Sequence, residues 1–172
     1  GVIISSLIIF VESIFPIIPL LVFITMNFVL LGNVLGFITS YIFTILGCIM
    51  SYMIFKNGLG NKFEKLTENK ELITKYTKIF KNISTSKLIL IVAFPFTPAF
   101  VVNIVAGLTK MDFKKYVTAL LFGKISLVLY SAYIGKTFLE SFKDPIVLLK
   151  MVAMIAGVYL LYMLFKKIFK ID

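Results

Sequence analysis

The chain has 172 residues, is 60% hydrophobic and only 15% charged, and carries a formal net charge of +10. A soluble domain is roughly 45–50% apolar and about 25% charged. With a mean hydropathy of +1.03, the composition therefore excludes a soluble globular domain and a disordered one. One cysteine and no histidine exclude an intramolecular disulfide, a His/Cys metal centre and a Ser-His-Asp triad. No cofactor and no enzymatic activity are expected.

All 18 basic residues are lysines. They cluster between apolar stretches, which points to the inner face of a membrane and not to nucleic acid. The abundance of Ile, Lys, Phe and Asn without arginine points to an AT-rich, bacterial genome. The chain opens on Gly1 and not Met, so a preceding segment with a further helix is expected.

In chain order, only Glu12 interrupts the first 55 positions with a charge. A bilayer core takes about 20 apolar residues as a helix, so this stretch holds more than one crossing. It lacks a basic leader and its apolar run does not stop, so it is no cleavable signal peptide. Residues 56–87 carry eight lysines and three glutamates, with Leu59, Phe63, Leu66, Ile73, Tyr76, Phe80 and Ile83 at helical spacing. This predicts a cytoplasmic amphipathic helix on the membrane surface, or alternatively a solvated loop with a helical hairpin. Uncharged residues resume over 88–109. Residues 116–135 form a span interrupted by Lys124, and 145–166 form a last one.

Four of the five prolines form two matching pairs: Phe15-Pro16-Ile17-Ile18-Pro19 and Phe94-Pro95-Phe96-Thr97-Pro98. Proline removes a backbone donor and clashes with the preceding turn, so each pair breaks a helix. Broken backbone in a membrane survives only inside protein or beside a water-filled cavity. Asn27 and Gly32 follow the first pair, and Asn103 and Gly107 the second. Each copy reads as a re-entrant hairpin, over 1–32 and 88–109, with spans over 33–55, 116–135 and 145–166. Lysine placement puts 56–87, Lys110–Lys115 and the C-terminus in the cytoplasm, so the hairpins enter from opposite faces. The expected fold is an all-α integral membrane protein, in one polytopic domain, built as an inverted repeat. The alternative has each proline pair kinking an ordinary spanning helix.

At this point the residues resemble a family. Glu12-x-x-x-Pro16-x-x-Pro19 resembles the first motif of the DedA superfamily, also called the VTT or SNARE-associated Golgi protein domain. The run from Phe94 to Thr109 resembles its second motif, and Gly123-Lys124 the following helix. Gly47, Ser51 and Tyr52 are similar to the glycine-containing helix between the hairpins. The resemblance covers about residues 11–137 and is nearest to the TVP-like bacterial branch. It implies opposed re-entrant hairpins and movement of lipids between leaflets, including polyprenyl phosphate recycling and phospholipid scrambling, with proton coupling in some members. Where the family often carries arginine, three residues before the second motif's first proline, this chain has Val92.

The candidate transport residues are Glu12, Pro16, Pro19, Pro95, Pro98, Asn103, Gly107 and Lys124. Glu12 is the sole carboxylate in the expected membrane core, where charge is costly. It reads as a proton site, or as an interfacial glutamate. Lys124 reads as a partner for Glu12 or a phosphate, or as a snorkelling side chain. Helix N-termini after the proline pairs suit anions. Asn27 and Asn103 offer amide contacts or helix packing. Cys48 and the small-residue pairs, such as Gly47-xxx-Ser51, read as packing.

These features suggest a transporter or scramblase for an anionic-headgroup lipid in the bacterial cell membrane. Proton coupling through Glu12 and a homo-oligomer are further expectations. A solute or ion transporter on the same frame, or a non-transporting scaffold, are the alternatives.

Overall fold

The computed structural model describes residues 2–16, 19–59, 77–80, 82–95, 97–141 and isolated positions between 146 and 163. All regular structure among the described residues is helical. Helix α1 spans Val2–Ile14 and stops where Pro16 and Pro19 deny it further donors. Pro19 caps the start of α2, Leu20–Ile54.

Helix α2 is not one rod. Gly32 lies at φ 77°, ψ 178°, a conformation essentially confined to glycine. Beyond it the chain doubles back. Asn27 Nδ2 donates to Thr39 Oγ1 and Ser40 Oγ, both at 3.2 Å. In a continuous helix, Asn27 and Ser40 would stand about 20 Å apart. A Cβ on Gly36 would lie 2.8 Å from Phe28 Cα, so the two limbs touch backbone to backbone. The limb over 33–54 is about 33 Å long at 1.5 Å per residue, enough for a bilayer core. Gly32→Ala should therefore cost about 1–3 kcal/mol through backbone strain alone, since open space surrounds the position. Thermal unfolding in detergent measures this.

A π-helical turn, Phe55–Leu59, ends this limb. Helix α3, Thr85–Ala93, follows, with Ser84 accepting from the Lys87 N–H at its start. The second break then intervenes. Phe94 takes φ −78°, ψ 120°, the extended backbone that a following proline imposes. Helix α4, Ala99–Leu108, leads through a turn, with Lys110 at φ 49°, into α5, Phe113–Ser141.

The segments that follow the two proline pairs, the two copies of the sequence pattern, make contacts of the same kind. Asn27 bonds Ser40 in the first. Asn103 Oδ1 accepts from the Tyr116 hydroxyl at 2.7 Å in the second. Both pairs are 13 residues apart in the chain. Gly47 receives α1, with Ser13 Cβ 2.5 Å from a Cβ built there, and Gly123 receives α3, with Val92 Cγ1 at 2.7 Å. The copies also cross over. Thr25, on the first limb of α2, meets Gly135 and the Ser131 carbonyl of α5. Gly107 on α4 meets Tyr52 on α2 and Phe55 in the π-helical turn that follows it.

The long limb of α2 turns large apolar side chains outward. On the 33–54 limb the buried face is mostly small or polar, Gly36, Ser40, Thr44, Gly47, Cys48 and Ser51, with Ile45 and Tyr52 as its two large members. The exposed face is Val34, Leu35, Ile38, Ile42, Leu46 and Met50. Small and polar side chains between helices with large apolar ones outward are the signature of lipid as solvent. Two stretches, Leu20–Asn57 and Phe113–Phe138, are long and apolar enough to cross a membrane.

Two apolar residues of the expected surface helix, Phe80 and Ile83, pack instead into the core around Tyr52 and Tyr116. Most of that helix, residues 60–76, lies outside the described residues, as does most of the span expected over 145–166.

Candidate functional site

Both breaks open onto one cavity of about 600 Å³. Pro16 and Pro19 line it from the first copy, Pro95 and Pro98 from the second. Glu12 and Lys124, buried at 7% and 1% exposure, line it as well. Six of the eight residues singled out in the sequence thus meet at one place. The rest of the wall is mainly apolar, including Leu20, Phe100, Leu127 and Ile134.

The local structure explains how each charge arrives there. Glu12 sits on the last turn of α1, one turn before the break. Lys124 follows Gly123, whose missing side chain lets α3 press against α5. That close crossing directs the next residue of α5 to the cavity. The first copy repeats the device, because Cys48 follows Gly47 and also lines the cavity. The charges themselves are not repeated. Lys124 matches Cys48, and Glu12, four residues before Pro16, matches Ile91, four before Pro95. One copy brings the acid and the other the cation.

Lys124 Nζ has no hydrogen-bond partner among the described residues. An uncompensated buried ammonium is costly, and the cost falls when an anion joins it. The cavity therefore carries a standing demand for negative charge at Lys124, beside the ionisable group of Glu12.

Asn103 and Gly107 stand elsewhere. Asn103 is tied to Tyr116, and Gly107 forms the crossing with α2. Asn27 likewise holds its copy's fold-back. The Tyr116 hydroxyl also lies 3.1 Å from the Cys48 carbonyl, and its ring stacks on Tyr52 at 4.6 Å. Tyr116→Phe should cost about 1–3 kcal/mol, because buried acceptors lose their donor. A shift in denaturation midpoint reads this.

Sequence reasoning took Cys48 for inert packing and passed over Tyr130 and Ser131, which also line the cavity. For Cys48 a signal existed in the glycine preceding it, matched by Gly123 before Lys124.

The profile described as the VTT domain matches residues 15–137. The chain is 27% identical over 135 residues to "Uncharacterized membrane protein YhjE" of Bacillus subtilis (strain 168), across 78% of this chain and 65% of that protein. The match thus spans slightly under two thirds of the relative's length. No solved structure matches.

Proposed function

Because the chain belongs to the VTT-domain family of membrane proteins, we propose that it is a transporter or scramblase that moves an anionic-headgroup lipid between the leaflets of the bacterial cell membrane. One observation carries this reading. The two breaks, one from each copy, share a cavity that is largely apolar and holds one buried acid and one buried cation. An amphipathic guest with a phosphate needs both kinds of wall. Its headgroup meets Lys124 while its chains stay against apolar side chains.

In this reading the two copies are re-entrant hairpins entering from opposite faces, as the lysine distribution argues. Residues 56–87 and the C-terminus face the cytoplasm. The matched Asn27–Ser40 and Asn103–Tyr116 bonds brace the two fold-backs. The family's arginine position is Val92, which here packs over Gly123. Lys124, next to that glycine, takes over the cationic role as a point charge without arginine's two-pronged fork. Glu12 is the proton site that gates or drives the step.

A leaflet-exchange assay with fluorescent phospholipid in proteoliposomes tests the proposal. Exchange above that of empty liposomes, faster for anionic than for zwitterionic headgroups, is the expected result. Exchange equal to that of empty liposomes for every headgroup would falsify it and turn attention to solute uptake or a scaffold role.

A further inference from the structure

Next to the main cavity, with Thr97, Ala99 and Lys124 common to both, lies a second, smaller chamber of about 10 Å³. Its polar lining comes from Lys124, Asn103 and Thr97. Roughly 10–15 Å³ of such space holds one water-sized guest. Two of its lining residues carry buried donors that lack an acceptor among the described residues. Lys124 Nζ and Asn103 Nδ2 both lack hydrogen-bond partners among the described residues, and both side chains are 1% exposed. Tyr116 occupies the amide's other end, its hydroxyl donating to Oδ1. The chamber also meets the start of α4 at Ala99. Pro98 provides no side-chain cap there, so the positive end of the helix dipole and its first N–H groups face the same region.

We propose that this chamber is a binding site for a single small anion, a halide, which acts as the counterion of Lys124 while no headgroup occupies the main cavity. Charge and proton accounting favour a halide over water. A water accepting from both donors must still place its own two protons. Among the described residues the lining side chains offer those protons the Thr97 hydroxyl alone, the others being Ile91, Val92, Ala99, Val102 and Leu120. Water also brings no charge to neutralise the ammonium, whereas a halide brings one and requires donors only. Chloride is slightly larger than water and needs small shifts of the surrounding side chains. Glu12 lines the main cavity and not this chamber, so no carboxylate among the described residues lines the space. The site stands independently of lipid movement and remains if the chain carries no lipid.

Bromide is the probe. Purified protein in detergent is melted in sodium bromide, sodium chloride and sodium gluconate at equal ionic strength, and crystals grown in bromide are measured at the bromine absorption edge. The halides are expected to raise the melting temperature above that in gluconate, with half-saturation at millimolar concentrations. Lys124→Met should abolish the difference, and Asn103→Leu should weaken it at least severalfold. An anomalous peak between Nζ and Nδ2 completes the expected result. Equal melting in all three salts overturns the proposal. So does a crystal showing water in the chamber, or the Asn103 amide turned with its oxygen on Lys124, and no bromide peak. The wild-type measurements decide the matter even if a variant fails to fold.

Discussion

Gly135→Ala is expected to destabilise the chain by about 1–3 kcal/mol, the usual range for forcing extra volume into a packed crossing. A Cβ at this position would lie 1.7 Å from Thr25 Oγ1 and 2.5 Å from Thr25 Cβ. The short, β-branched threonine has no flexible end to swing away. Turning its hydroxyl would also disturb the bond to the Leu21 carbonyl. The exchange of volumes, Thr25→Gly with Gly135→Ala, should restore part of the loss, because the collision is pairwise. Gly157→Ala serves as the control, since no described residue lies within 4 Å of a Cβ built there. Thermal unfolding in detergent, followed by tyrosine fluorescence, reads all four. The crossing joins the first copy to the second, so its loss separates the two halves of the cavity.

The second large effect concerns the charges in the cavity. Glu12→Gln and Lys124→Met should each slow leaflet exchange by about ten- to a hundredfold. Hydrogen bonds to charged groups contribute about 1.5–3 kcal/mol, and about 1.4 kcal/mol is a factor of ten. Gln keeps the size and polarity of Glu12 but cannot exchange a proton. Met keeps the length and apolar stem of Lys124 but offers no charge. Both side chains face one cavity, so the double variant should lose much less than the product of the two single losses. Multiplicative losses would place the two residues in separate steps. Melting each variant beside the wild type separates a transport defect from a folding one.

Local chemistry made much of this architecture legible in the sequence. The paired prolines force breaks wherever they stand, and the structure breaks at both. Gly32 marks the change of direction before the long limb because that backbone conformation admits little else. Glu12 and Lys124 stood out because charge is rare in an apolar stretch. What escaped the sequence depends on contacts between distant segments. Thr25 and Ser131 are 106 positions apart, and nothing near either residue announces the other. Asn103 is held by Tyr116 outside the main cavity and lines the smaller chamber next to it, a placement that its sequence neighbours do not announce. Phe80 and Ile83 fit an amphipathic stripe, but a stripe does not say whether lipid or protein covers it, and here the core does. Cys48 gained its meaning only through the match with Lys124, which needs the two copies aligned on Gly47 and Gly123.

The central claim is that a lipid headgroup enters the cavity between the two breaks. Thr97 lines that cavity and is half-buried, and Cys48 is the chain's single cysteine. In a Cys48→Ala background, Thr97→Cys therefore places one thiol at the site. The most direct measurement reconstitutes this variant in vesicles containing a phospholipid with a maleimide on its headgroup, and weighs the protein by mass spectrometry. The account predicts a mass increase of one lipid, suppressed by excess anionic phospholipid. Labelling by a small soluble maleimide with no capture of the lipid would contradict it.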